Sequence, residues 1–354
     1  MKQSKLLQQT GQFLLLVCLC GVPAFRAHAA PQTKSLDIYF IDVEGGQSTL
    51  FVTPGGESLL IDTGWSDNNN RDADRIAAAA KRAGVSKIDY VLLTHYHTDH
   101  AGGVSQLVAK IPVGTFIDHG PNRETAGETQ KNFDEYLKVV SATNAKRIIA
   151  KPGDALPLQS MHVEVVSGDG NAIDNPLPGA GQPNPACASS AKFAVDPSEN
   201  ARSLGVLITY GKARILDLGD LSSAKELNLV CPNNKLGQVD LLVVSHHGSD
   251  FSNSPALLTA IAPRVAVMDN GAKKGGSPSS WDAVHGSPRI QDLWQLHFAD
   301  AGGKAHNSSD ELIANPDGPD AANYIKVSVS PDGSMDVFNS RTTKTKHYAA
   351  SAPR

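Results

Sequence analysis

Leu93-Thr-His-Tyr-His-Thr-Asp-His100 is the stretch around which the chain is organised. It continues a short apolar run, Ile88 to Leu93, that reads as a buried strand. Three histidines and one aspartate then fall within six residues. His95 and His97 alternate across an extended turn, and Asp99 and His100 follow directly. Imidazole and carboxylate together suit zinc, and also iron or manganese, without any thiolate. A lone histidine is ordinarily structural, whereas four such groups converging at a strand end form a metal-ligand pattern.

Upstream, Leu36 to Asp42, Ser48 to Val52 and Ser58 to Ile61 read as strands separated by turns at Gly45-Gly46 and Gly55-Gly56. Ala73, Ile76, Ala77 and Ala80 have helical spacing, and Gly84 is placed to end that helix. Downstream, Phe133, Tyr136, Leu137 and Val140 mark one face of a second helix. Gly, Pro, Asn, Asp and Ser dominate residues 168–200, which reads as an insertion. Leu204 to Thr209 and Arg214 to Leu218 then predict a hairpin, Leu221 to Val230 a helix, and Val239 to Val244 and Arg264 to Met268 buried strands. Beyond Asn270 only Tyr324 to Val329 and Met335 to Phe338 look like strands, so the core is expected over about 36–268 with a C-terminal extension over about 270–354.

Two further polar clusters also end strands: Asp217-Leu-Gly-Asp220 and Ser245-His-His-Gly-Ser249. In open α/β layers, sites form outside the carboxyl ends of strands. Lys87-Ile-Asp-Tyr-Val-Leu-Leu-Thr-His95 repeats the pattern of Gln238-Val-Asp-Leu-Leu-Val-Val-Ser-His246, each after a strand that ends in an acid, Asp62 or Asp220. The echo reads as two similar halves; buried strands also resemble one another by chance, so alone it leaves both readings open.

Composition bounds the rest. With 354 residues, 40% hydrophobic and 19% charged, the chain is neither disordered, collagen-like nor a disulfide-dense miniprotein. Lys2 and Lys5, the apolar run Phe13 to Cys20 and the small residues Ala27-His28-Ala29 predict a secretory signal over residues 1–29, with a single mature domain over 30–354. The expected location is periplasmic or secreted, and no membrane-spanning segment is expected in the mature chain. Loss of Lys2, Lys5 and Arg26 takes the formal charge from −4 to −7. That balance does not favour nucleic acid as a partner. Cys187 and Cys231 remain, either paired in an oxidising compartment or free.

Together these motifs resemble the metallo-β-lactamase superfamily, and within it the ComEC-type branch without its membrane channel. The stretches that carry the resemblance are Asp42-Val-Glu-Gly-Gly-Gln47, Leu60-Ile-Asp-Thr-Gly64, His95 to His100, Gly219-Asp220 and His246 to Ser249. The resemblance implies an α/β, four-layer αββα sandwich of two similar halves. It implies that His95 and His97 hold one metal, that Asp99, His100 and His246 hold a second, and that Asp220 bridges them. Asp62 would orient a ligand histidine. The echo aligns His246 with His95, which leaves His247 either behind a ligand or facing substrate as a proton donor; Asp99 and His247 are the expected catalytic residues. The superfamily's additional histidine before the Gly-Asp turn is missing, since Val163 to Ser245 contains none. Asn200 to Ser203 resembles the branch's Asn/Ser stretch at that point, and His119 and His162 read as ordinary surface or core histidines.

One or two Zn²⁺ ions are expected, with Mn²⁺ or Fe as substitutes. Such a site lowers the pKa of bound water from about 15.7 towards 7, giving a hydroxide nucleophile at neutral pH. Metal-dependent hydrolysis is therefore the expected reaction, and the ComEC-type resemblance implies a phosphodiester as its substrate. A lactam, lactone or thioester hydrolase, and a non-catalytic metal- or ligand-binding module, are the alternatives. Oligomeric state is not legible.

Overall fold

The computed structural model describes residues 35–66, 68–191, 193–316 and 322–352; the expected leader lies outside them. The first sheet opens with β1 (Leu36–Phe40), β2 (Thr49–Val52), β3 (Ser58–Ile61), β4 (Ile88–Leu92), β5 (Val113–Asp118) and β6 (Lys146–Ile149). The second contains β7 (His162–Gly168), β8 (Asn171–Ala172), β9 (Gly205–Tyr210), β10 (Ala213–Asp217), β11 (Leu241–Val243), β12 (Val265–Met268), β13 (Asp292–His297) and β14 (Ile313–Asn315). The chain then returns to the first sheet as β15 (Ile325–Val329), β16 (Met335–Asn339) and β17 (Lys344–Tyr348). The strand orders are 17-16-15-1-2-3-4-5-6 and 14-13-12-11-10-9-7-8.

Period-two alternation sends each central strand's side chains into two cores. From β1, Leu36, Ile38 and Phe40 enter the layer between the sheets, and Tyr39 faces the helices. From β11, Leu241 and Val243 face the other sheet, while Leu242 packs on the outer helices. The helices on the first sheet are α1 (Arg71–Arg82), α2 (Thr98–Ala101), α3 (Val104–Val108) and α4 (Gly127–Thr143); those on the second are α5 (Ser223–Val230), α6 (Pro255–Ile261) and α7 (Pro278–His285). The result is the αββα sandwich. Its halves correspond: β2–β3 and β9–β10 are antiparallel pairs, and β3–β4 and β10–β11 are parallel pairs. Among the described residues no helix is long and apolar enough to cross a membrane.

The C-terminal third corrects the expected boundary near Met268. β13 and β14 extend the second sheet in parallel, and β15 pairs with β1 from Leu36↔Val329 to Phe40↔Ile325. Sequence reading missed β13 because its polar residues are buried and bonded inside the fold. Gln295, for example, donates from Nε2 to Asn307 Oδ1 at 2.9 Å. The extension is thus part of the sandwich.

Cys187 and Cys231 form a disulfide, which fastens the insertion to the end of α5. Closing this 44-residue separation removes about 4 kcal/mol of unfolded-state entropy in the chain-closure description. Cys187→Ser with Cys231→Ser is expected to lower urea-unfolding stability by roughly 2–4 kcal/mol. An unchanged midpoint would contradict this.

Glu226 on α5 is fully buried; its Oε1 accepts from Asn253 N at 2.6 Å and its Oε2 from Ser254 N at 2.7 Å. Burial outweighs these donors and pushes its carboxyl from 4.5 up to about 7. The protonated form is therefore favoured by folding, and the group's contribution to stability is full below pH 4.5 and lost as pH rises through about 7. Glu226→Gln should flatten that part of the Tm-against-pH curve, and a curve of unaltered slope would contradict the assignment.

Candidate metal centre

The polar clusters meet where strands from the two sheets end. Asp99 and His100 lie on the short helix α2 just after β4, Asp220 follows β10, and His246 and His247 follow β11. Their ligand atoms form two groups on either side of the Asp220 carboxylate. On one side His247 Nε2 lies 3.2 Å from His100 Nε2, 3.2 Å from Asp99 Oδ2 and 3.5 Å from Asp220 Oδ1. His100 Nε2 is 3.3 Å from both Asp99 Oδ2 and Asp220 Oδ1. Asp99, His100, Asp220 and His247 are all buried, with one ligand atom from each within 4.8 Å of the others.

On the other side Asp220 Oδ2 faces His246 Nε2 at 3.4 Å and His95 Nε2 at 4.0 Å. His95 Nε2 is 3.1 Å from His97 Nδ1, and His97 Nε2 reaches Glu124 at 3.3 Å. This group does not close to the same degree. Asn200 lies beside it, with Nδ2 3.4 Å from His246 Nε2.

These distances correct the assignment of the paired histidines. His247, rather than His246, joins Asp99 and His100, and His246 stands with His95. The echo aligns His246 with His95, and both do face Asp220 Oδ2, but it does not carry His246 to Asp99 and His100, because the chain leaves the strand at Val243. His246 (φ 56°) and His247 (φ 53°) then adopt left-handed backbone, while His97 is extended (φ −64°, ψ 155°). Strand alternation cannot be carried through such a turn. His119 is buried against Glu199 at 2.9 Å, and His162 is exposed.

The far nitrogens of the close group are fixed by carboxylates. Asp62 Oδ2 lies 2.7 Å from His100 Nδ1, and Asp269 Oδ1 lies 3.3 Å from His247 Nδ1. Both Nε2 atoms are thereby left facing the two carboxylates. Burial opposes the charge on Asp220, yet His100, His247 and His246 hold its carboxyl well below the usual range. Burial and Lys274 oppose a charged His247, but Asp220 and Asp269 push it up to about 9. Burial, reinforced by His100 and His97, holds His95 well below the ordinary imidazole value, so it is neutral. Asp220 Oδ1 is buried and makes no well-aligned hydrogen bond, although His100 Nε2 lies 3.3 Å away. Two imidazoles and two carboxylates with converging lone pairs fit a divalent transition metal.

Several residues here carry no motif. Asp269 follows β12 as Asp62 follows β3. Asp217 is buried and accepts from Gln47 Nε2 at 2.7 Å, and burial pushes it up to about 7. Asp217-Leu-Gly219 matches Asp62-Thr-Gly64, a likeness that pairing Asp62 with Asp220 had obscured. Lys274 contacts Asp99 Oδ2 and sits 4.8 Å from the centroid of the Trp65 ring, a cation–π arrangement. Gly46 is required by close approach: a Cβ there would lie 2.4 Å from Asp99 O.

A four-layer sandwich with clustered histidines and carboxylates at its strand ends defines a metal-dependent hydrolase. Residues 42–183 match the family model described as Metallo-beta-lactamase superfamily. The chain carries a metallo-β-lactamase domain over those residues, and ComEC-type competence proteins are among its relatives. It is 27% identical to recombination protein 2 of Haemophilus influenzae over 72% of its length and 26% of that protein. It is 26% identical to competence protein ComA of Neisseria gonorrhoeae over 72% of its length and 30% of that protein. The chain thus spans under a third of either relative. It is also 25% identical to a metal-dependent hydrolase of Aeropyrum pernix, over 63% of this chain and 78% of that one.

Asp269→Ala is expected to weaken Zn²⁺ binding by roughly 10- to 100-fold, the usual effect of removing a carboxylate behind a ligand histidine. Competition with a chromogenic chelator measures it, and equal affinity would separate Asp269 from the metal centre.

Proposed function

We propose that the protein is an exported phosphodiesterase that works with one tightly held divalent metal, most simply Zn²⁺, and a second held more weakly. In this reading Asp99, His100 and His247 hold the first ion with Asp220 Oδ1. His95, His97 and His246 hold the second with Asp220 Oδ2, so that His246 fills the place of the histidine missing before the Gly-Asp turn. Asp62, Asp269 and Glu124 orient the imidazoles. Divalent ions in such a setting act as Lewis acids and lower the pKa of water. Lys274, held over Trp65 beside Asp99, binds an anionic oxygen of the substrate. The observation that carries the reading is the two-sided Asp220, with imidazoles facing each of its oxygens and a lysine at the same centre.

The choice of a phosphodiester is supported by the competence-protein relatives and by this cation, which a neutral lactone does not call for. The acidic composition counts against long duplex DNA and leaves small or single-stranded phosphodiesters as the substrate class. Export is supported by the leader-like first 29 residues and by the disulfide, which belongs to oxidising compartments.

Metal-loaded protein should hydrolyse bis(p-nitrophenyl) phosphate in preference to a β-lactam or a lactone, and Asp99→Ala should abolish that turnover. Lactam or lactone turnover alone would overturn the proposal. Lys274→Ala should cut kcat/KM for the phosphodiester by about tenfold, the equivalent of about 1.4 kcal/mol, with a smaller effect on any neutral ester. Elemental analysis after gel filtration should find about one ion per chain without added metal and about two with it, the range allowed by the paired groups. His246→Ala should remove the second ion only, and loss of both would contradict the division.

A further inference from the structure

Among the described residues four large apolar side chains stand exposed: Ile149, Phe193, Val195 and Phe251. Three of these, Phe193, Val195 and Phe251, line a single pocket of about 490 Å³. That volume lies within the roughly 300–1,000 Å³ of small-ligand sites. His246 and Asn200 line the same pocket, so it is continuous with the more open side of the metal centre. The Phe251 ring lies 6.3 Å from the His246 ring, with 32° between their planes. Phe251 is 70% exposed, which makes it an open aromatic face at the mouth of a polar site.

Charge divides the region. Asp196 and Asp250 line the pocket, and among the described residues no lysine or arginine does. Lys274 contacts Asp99, on the other side of Asp220. With two carboxylates on the pocket and a lysine at the metal centre, an anionic group is drawn to the centre and a neutral group suits the pocket. The occupant is aromatic and polar-edged rather than an alkyl chain for two reasons. Two phenylalanine rings and an imidazole offer stacking faces, and Asn200, Ser198, Ser222 and Ser223 set polar side chains along the same wall. A nucleobase brings both a π-face and N–H donors, whereas an acyl chain brings neither.

We propose that this pocket binds the base of a nucleotide whose phosphodiester lies at the metal centre, with Phe251 as the principal stacking face. The identity of the anionic group rests on the phosphodiesterase reading above; the aromatic pocket stands on its own geometry. Stacking reads no base identity, so binding should be tolerant of sequence.

The test uses the metal-loaded full chain and Phe251→Ala, a substitution at an exposed position that leaves the core intact. Binding of thymidine 5′-monophosphate is measured by calorimetry. Hydrolysis of the p-nitrophenyl ester of thymidine 5′-monophosphate is compared with that of methyl p-nitrophenyl phosphate. The variant should bind the nucleotide about 5- to 150-fold more weakly, the range set by loss of one stacked base. The preference in kcat/KM for the nucleoside ester over the methyl ester should fall in similar proportion. Equal nucleotide binding by both proteins, or none by the wild type, overturns the base pocket even if the wild type cleaves phosphodiesters. Phe251-dependent nucleotide binding without cleavage of any phosphodiester overturns the phosphodiesterase reading and upholds the pocket.

Discussion

The carboxylate of Asp62 is fully buried, and the geometry of the metal centre depends on how its charge is met. It accepts from Thr94 N at 2.8 Å and from Thr94 Oγ1 at 2.7 Å, and it faces His100 Nδ1 at 2.7 Å. A carboxylate this deep costs several kcal/mol unless such partners surround it. Those partners arrive only when β3 and β4 are paired and the turn after β4 is closed. Thr94 also accepts from Leu204 N at 2.8 Å through its carbonyl and packs against Gly219, where a Cβ would come within 2.8 Å of the threonine side chain. One hydrogen-bonded junction therefore aligns the first metal-ligand loop with the second half of the sandwich.

Opposite it, the chain is held in a costly conformation. His246, His247 and Gly248 all have positive φ, and for the two histidines this conflicts with the usual steric preference. Asn253 secures the turn by accepting from Ser245 N and donating to Ser245 O, and Glu226 holds Asn253 in turn. The turn separates two adjacent imidazoles so that each meets a different oxygen of Asp220. Strain here is local and is maintained by groups that are themselves buried.

Much of this was legible in the residues. The paired βαβ pattern, the helices over 71–82 and 127–143 and the clustering of His95 to His100 with Asp220 follow from periodicity and from polar groups at strand ends. What escaped was information that period and motif do not carry. Left-handed backbone after Val243 reversed the expected order of His246 and His247. Asp269 and Lys274 come from a glycine-rich loop that resembles any polar turn until packing brings it to Asp99. β13 hides hydrophilic residues that are satisfied only within the fold, and β17, Lys-Thr-Lys-His-Tyr, buries just its last residue.

The ladder between β1 and β15 has a temporal meaning as well as a spatial one. Leu36 pairs with Val329, so one of the first strands to leave a ribosome or a membrane pore has a permanent neighbour that emerges nearly three hundred residues later. Contacts of that span form slowly because a long loop must close before they contribute. Until then β1 presents an open row of amides and carbonyls, a template on which other unfolded chains can assemble. The residues most distant from the metal centre in sequence would thus govern how much of the chain reaches the native state.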